Sequence, residues 1–261
     1  MSKKNVVIEV GDGAAIPDPE DKGLFTAWRI SFFGTIAIIC YLIIAKPDPY
    51  LDIIKFLPDG IMVTFKVTFA SIGLALVLGL IAGLGRISKN RFFNLAASTY
   101  IEVVRGIPLL VQLFYIYFAL GNLIRVPDMV AAIIAMGFCY GAYMGEVFRA
   151  GINSIDDGQT EASLSLGFNR SQTMRYVILP QAWRTILPPV GNEFIALLKD
   201  TSLVSILAVS DILRRGREFA SESFLYFETY TMIALIYLMI TLVLSKLLSN
   251  MENRLSHYER R

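Results

Sequence analysis

With 261 residues, 55% of them hydrophobic and 18% charged, and a mean hydropathy of +0.56, the chain is more apolar than a soluble domain, whose apolar share is about 45 to 50%. A formal net charge of +2 excludes the long-range field that holds nucleic acid. Cys40 and Cys139 fall in separate apolar blocks without metal-type spacing, so both read as packing residues and not as a disulfide or a zinc site.

The polar start of the chain, with Pro17, Pro19 and several acids, does not resemble the short basic start of a cleaved signal peptide, so the first apolar block is expected to remain as a membrane helix. Apolar runs then lie at Trp28 to Ala45, Gly60 to Leu84, Leu95 to Leu120, Met129 to Phe148, Ile186 to Val209 and Thr229 to Leu248. Each approaches the roughly 20 residues a membrane helix needs, which predicts about six spans in one membrane domain. Helix is the expected form, because unpaired backbone groups are costly in hydrocarbon and the alternating pattern of a barrel does not recur.

Ser71, Gly73, Ala75, Gly79, Ala82, Gly83 and Gly85 crowd the second run and predict close helix contact there. Placing the N-terminus in the cytoplasm puts Lys3, Lys4, Lys22, Arg86, Lys89, Arg91, Arg149, Arg170, Arg175, Arg184, Arg254, Arg260 and Arg261 inside. Lys46, Lys55, Arg125, Arg214, Arg215 and Arg217 then lie outside. The bias toward basic residues inside favours this orientation, with both termini cytoplasmic, although Arg214 to Arg217 oppose it.

The polar stretch from Ala150 to Thr185 is too long for a simple connection and carries its own helical pattern. Asp156 or Asp157 can cap a short helix through Glu161 and Leu166, with Gly167 supplying the backbone freedom to end it. Asn169 or Ser171 can cap a second helix, given an apolar edge by Met174, Val177 and Ile178, and Pro180 is expected to mark where regular helix stops.

At this stretch the chain resembles a known family. Glu161-Ala162-Ser163, Gly167, Val177 and Leu179-Pro180 look like the Glu-Ala-Ala, Gly, Ile and Leu-Pro loop of binding-protein-dependent ABC importer permeases. Ser163 stands for alanine and Val177 for isoleucine, both conservative in size. Glu102, Arg105-Gly106, Pro108-Leu109, Gln112, the run Tyr143 to Gly151, Gln159 and Lys199-Asp200-Thr201-Ser202-Leu203 resemble the polar amino acid branch. The resemblance covers about Gly60 to Met251. It implies an all-α membrane fold, the type I importer transmembrane domain, with a cytoplasmic coupling loop that docks on an ATP-binding subunit. The implied organisation is a cytoplasmic tail over 1–27, an additional N-terminal helix with an outer loop over 28–59, a permease core over 60–251, and a cytoplasmic tail over 252–261.

Charges inside the apolar runs raise a second question. Glu102 and Arg105 are helical neighbours, where a lone charge would cost about 2.5 to 3.5 kcal/mol on insertion scales. They either neutralise each other or line the path of a zwitterionic substrate, with Pro108 bending the helix and freeing carbonyls toward a cavity. Gln112 joins them as a path candidate. Lys199, Asp200, Thr201 and Ser202 should face the bundle interior, either in a salt bridge with local hydroxyl bonds or on the path. Lys66 and Glu193 read as snorkelling or locally paired residues.

The sequence lacks a phosphate-binding Gly-Lys-Ser/Thr loop, so ATP and Mg are expected in a separate subunit and no cofactor in this chain. The single histidine, His257, lies in the charged tail, and no nucleophile has an evident base, which argues against an enzyme. An ion-coupled secondary transporter or channel and a membrane-embedded enzyme are the rival classes. The family resemblance implies ABC ATP-binding subunits, an extracytoplasmic amino-acid-binding protein and a second permease subunit as partners, in a bacterial cytoplasmic membrane. The amino acid (glutamine, glutamate, histidine or arginine) and the make-up of the dimer stay open.

Overall fold

The structure is a computed structural model that describes residues 26–121 and 126–256. Lys3, Lys4, Lys22, Arg125, His257, Arg260 and Arg261 lie outside the described residues. All regular elements among the described residues are helical. Helix α1 (Ala27–Ala45) starts at Thr26, whose hydroxyl accepts the Arg29 N–H at 3.2 Å. Helices α2 (Pro47–Phe56) and α3 (Pro58–Arg86) each open on a proline, which loses nothing at a first helical position. The outer loop expected before Gly60 is therefore largely α2. Its residues Tyr50 and Ile53, with Leu57, are buried against Ile212, Met232 and Ile233.

Helix α4 (Arg91–Gly106) is capped by Asn90 and ends where Ile107 turns extended ahead of Pro108. Helix α5 (Leu109–Phe114) continues into a π turn over Tyr115–Leu120. The chain bends by 104° between the two helices, so the expected third run is not one straight helix but a bent pair, the geometry of a broken span or of a re-entrant loop. Helix α6 (Asp128–Asn153) runs parallel to α3 at very close range. A Cβ on Gly79 would stand 2.3 Å from Met144 Cβ, one on Gly83 2.8 Å from Phe148 Cβ, and one on Gly137 2.6 Å from a Leu74 methyl carbon. Gly79 and Gly83 of the second run thus make the close contact their pattern predicts and Gly85 does so against α4, whereas Gly73 is exposed with nothing within 4 Å of its missing Cβ.

Next come α7 (Asp157–Ser165), α8 (Arg170–Thr173), a π turn over Met174–Ile178 and α9 (Leu179–Asp200). A 3₁₀ turn over Thr201–Leu207 ends at Ala208, which is left-handed with φ 64°. Helices α10 (Ile212–Ser223) and α11 (Tyr226–Ser256) complete the described chain. Helix α11 thus carries the expected core boundary at Met251 into the tail.

Among the described residues, Ala27–Ala45, Pro47–Arg86, Asp128–Asn153 and Tyr226–Leu255 are long and apolar enough to cross a membrane, and the bent pair Arg91–Gly106 with Leu109–Ala119 passes the same measure only when its two helices are taken together. The fifth expected run, Ile186–Val209, does not meet that measure. Pro188 and Pro189 sit inside α9, and the polar group at Lys199 to Ser202 is where helix gives way to the 3₁₀ turn.

The parallel course of α3 and α6 brings their C-terminal ends, Arg86 and Arg149, to one end of the bundle, from which residues 154–178 extend. We call this the loop end. Asp59, Gly60 and α10 define the opposite, far end, where Arg215 stands 3.8 Å from Asp59. At the far end the buried Asp211 caps α10, accepting the N–H groups of Leu213 at 3.2 Å and Arg214 at 2.9 Å. The Ile212 N–H donates to buried Thr64 of α3 at 3.2 Å.

Candidate functional site

Residues 154–180 form two joined short helices. Asp156, not Asp157, caps α7 by accepting the Gly158 N–H at 2.7 Å. Gly167 has φ +86°, a left-handed conformation in which an ordinary side chain is strained. Its N–H donates to Leu164 O at 3.0 Å and the Phe168 N–H to Ser163 O at 3.1 Å, the paired bonds of a Schellman stop. Asn169, not Ser171, then caps α8 in a reciprocal box with Gln172, at 2.9 Å and 2.8 Å.

Ser163 is buried, and its hydroxyl bonds the Thr160 carbonyl at 2.9 Å and the Thr173 hydroxyl at 2.8 Å. That second bond ties α7 to α8. Glu161 and Ala162 are exposed on the outer side of α7, together with Leu164, Leu166 and Phe168. Gln159 accepts from Gln181 at 3.2 Å, a further link between the loop and α9.

Pro180 does not end the helix, contrary to the sequence expectation. The chain stays helical from Arg170 to Asp200, because the π turn over Met174–Ile178 shifts the bonding register just before the proline, whose missing N–H then falls in the first turn of α9. Met174, Val177 and Leu179 pack against the main core beside buried Ile178, Ala182 and Ile186. The loop is thereby continuous with a helix anchored in the bundle.

A cavity of about 230 Å3 opens beside the bend in the third run, lined by Leu109, Cys139, Tyr140, Tyr143, Glu193, Ala196 and Asp200. Helix α9 contributes Glu193, Ala196 and Asp200 at i, i+3 and i+7, one face of a helix. The Tyr140 hydroxyl donates to Asp200 Oδ2 at 2.8 Å. The Arg105 guanidinium stands over the Tyr143 ring at 5.2 Å from its centre. Two carboxylates thus line a partly apolar cavity, and one guanidinium stands over the ring of its lining residue Tyr143.

The eight residues proposed from sequence for the path divide sharply. Asp200 lines the cavity, Arg105 stands over the lining residue Tyr143 without forming part of the wall, and Pro108 makes the bend that brings Leu109 to that wall. Gln112 is buried, and its side-chain amide donates to Val104 O at 2.7 Å and Ile107 O at 2.8 Å. Thr201 is buried with its hydroxyl on Leu198 O at 2.6 Å. Ser202 is half-buried and Lys199 exposed. The interior placement expected for Lys199 does not hold within this chain, since it falls one residue off the face that carries Asp200.

Glu102 does not pair with Arg105. It is largely exposed, 3.7 Å from Arg86, which in turn donates to Glu146 at 2.7 Å. Arg149 Nε donates to both oxygens of Glu146 at 3.0 Å. The mutual neutralisation read from spacing is replaced by two separate arrangements, a charge cluster across α3, α4 and α6 and a cation over an aromatic ring. Glu193, read from sequence as snorkelling or locally paired, lines the cavity. Its seven-residue spacing from Asp200 was the signal available, whereas the contribution of Cys139 and Tyr140 from α6 had none.

A bundle of apolar helices with a carboxylate-lined, half-open cavity and a structured loop at one end is the architecture of a membrane protein with room for a small solute. Residues 75–257 match the family described as "Binding-protein-dependent transport system inner membrane component", and the chain belongs to that family. Among relatives, the glutamine transport system permease protein GlnP of Escherichia coli K12 is 40% identical over 205 residues, 77% of this chain and 94% of the relative. The arginine transport system permease protein ArtQ of Bacillus subtilis 168 is 35% identical over 204 residues, 77% and 93%. A solved structure titled as an amino acid ABC transporter with histidines is similar at 41% identity, over 82% of this chain and 98% of that one, with a TM-score of 0.74. A methionine ABC transporter structure, MetNI in inward-facing form, shares the fold at 17% identity and a TM-score of 0.67.

Proposed function

We propose that this chain passes a polar amino acid inward across a bacterial cytoplasmic membrane, with residues 154–180 on the cytoplasmic side docked on an ATP-binding subunit. ATP and Mg are held by that subunit, and this chain hydrolyses no ATP. A binding protein delivers the amino acid from outside to the far end, and a second permease subunit, the same chain or a related one, completes the bundle within lipid.

One observation carries this reading: a cavity beside the bend at Pro108 is lined by two carboxylates, with the Arg105 guanidinium over the ring of its lining residue Tyr143. Arg105 suits an α-carboxylate, and Glu193 or Asp200 an ammonium or a cationic side chain. Discontinuous helices with backbone turned to a cavity are a recurrent way to build a substrate site at membrane depth. The continuous helical run from Arg170 through α9 supports a coupling role for the loop, since Glu193 and Asp200 ride on the segment that the loop would push. A displacement there changes their distance from Arg105, which stands on a different helix.

The test is uptake of labelled glutamine, glutamate, histidine and arginine into proteoliposomes holding this chain with its ATPase and binding protein. ATP-dependent uptake that is lost on joint substitution of Glu161 and Gly167, with the subunits still assembled, supports the reading. Equal uptake without ATP or without the ATPase subunit would place the chain among ion-coupled transporters or channels.

A further inference from the structure

The break at Pro108 creates a specific problem in hydrogen bonding. In an unbroken helix the Val104 carbonyl would accept from the N–H of residue 108, and proline has none. The Ile107 carbonyl would accept from Val111, but the Val111 and Gln112 N–H groups both go to Pro108 O, at 3.0 Å and 3.2 Å. At the end of α4 the Ile107 carbonyl is left without a main-chain donor and the Val104 carbonyl keeps only a long bond from the Ile107 N–H at 3.4 Å, in surroundings where a poorly paired polar group is costly. The Gln112 side-chain amide has two N–H donors, and one reaches each carbonyl, at 2.7 Å and 2.8 Å.

We propose that Gln112 is a positioning residue for the cavity, a latch that holds the 104° bend and through it sets Arg105 over Tyr143. Val104 and Ile107 flank Arg105 in the chain, so the two bonds clamp the backbone on either side of the guanidinium-bearing residue. On the other side of the break, the same side chain fixes the start of α5, whose first residue, Leu109, lines the cavity. Gln112 itself is not among the cavity-lining residues, and both donors of its amide are occupied. It acts through Arg105 and not on the substrate, which corrects its placement among path residues by sequence. This inference rests on the cavity being the substrate site.

The decisive measurement is equilibrium binding of labelled glutamine, glutamate, histidine and arginine to the purified permease–ATPase complex in nanodiscs, alongside uptake by the complete transporter. Native protein is compared with Gln112→Leu, Arg105→Lys and the double variant. Loss of the latch is expected to weaken binding of the transported amino acid about tenfold in the native background, the equivalent of about 1.4 kcal/mol. In the Arg105→Lys background the same change should cost less than about twofold, since the group that the latch positions is already gone. A merely structural role for Gln112 gives the same fold-change in both backgrounds and overturns the proposal, as does unchanged binding. Native uptake without binding by the permease itself overturns the inference and leaves the transport reading standing. Absence of ATP-dependent uptake in the native transporter removes both.

A second measurement does not depend on substrate. Spin labels at exposed Thr99 and Tyr115, with Cys40 and Cys139 replaced by alanine, report the distance across the bend. Gln112→Leu should broaden that distance distribution, and an unchanged distribution overturns the latch.

Discussion

Ser163 is the position where this chain departs from the alanine of the family loop, and its surroundings show what the departure entails. Its hydroxyl meets that of Thr173 across the two short helices, and both residues are buried, 3% exposed each. Removing one partner strands the other, at a cost of about 1 to 3 kcal/mol, whereas removing both can be nearly neutral. Ser163→Ala alone should therefore lower the thermal midpoint of the purified complex and reduce uptake, and Thr173→Val alone should do the same. The double variant should recover most of both losses. Additive losses in a double-mutant cycle would show that the hydroxyl pair does not couple α7 to α8.

Between elements, burial and partner number decide which charges matter. Glu146 accepts from both Arg86 and Arg149, on α3 and on its own helix α6, while Glu102 is 70% exposed and only 3.7 Å from Arg86. Glu146→Gln leaves Arg149 without its anion and Arg86 with only the exposed Glu102, and should destabilise the bundle by about 1.5 to 3 kcal/mol. Glu102→Gln should change it by less than about 1 kcal/mol, as for other exposed pairs. Thermal unfolding of the two variants side by side checks the contrast. At the far end, burial pushes the Asp211 carboxyl from 3.8 up to about 6, against the pull of the backbone N–H groups it caps. A raised acid pKa favours the neutral form in the folded state, so the stability that Asp211 contributes is full below pH 4 and lost as pH rises through about 6. Asp211→Asn keeps the capping oxygen without the titration. Its thermal midpoint should therefore decline less than that of the native protein between pH 4.5 and 6.5 (roughly the window set by the linkage); parallel curves would assign the pH dependence to other groups.

At the scale of the whole molecule, loop and cavity are joined by one helical run but serve separable ends. Gly167→Val opposes a φ of +86°, at a cost of about 1 to 2 kcal/mol, and distorts the loop. It should lower the amount of amino acid moved per ATP hydrolysed while leaving substrate binding by the permease within about twofold. Glu193→Gln should do the reverse, weakening binding about tenfold, or about 1.4 kcal/mol, with the loop still docked. Binding and uptake-to-hydrolysis ratios measured on the same preparations separate the two, and joint loss in both variants would refute the division. What could be read from the sequence alone was whatever depends on neighbours along the chain. The apolar runs at α1, α3, α6 and α11, the glycine and serine stripe of α3, the stop at Gly167 and the break at Pro108 all follow from local backbone chemistry and from the length needed to cross lipid. The partners of the charges were not legible, because spacing places Glu102 beside Arg105 on one helix but is silent about Arg86, Tyr143 and Glu146 on others. The same limit hid Gln112, whose amide looks like a solute-binding group until the two carbonyls freed by Pro108 are seen within its reach. Secondary structure is set by local covalent constraint and solvent, so sequence by itself determined the class of protein and the place of its loop. The cavity was decided only by tertiary structure, because it exists where α5, α6 and α9 meet and no segment of the chain contains it.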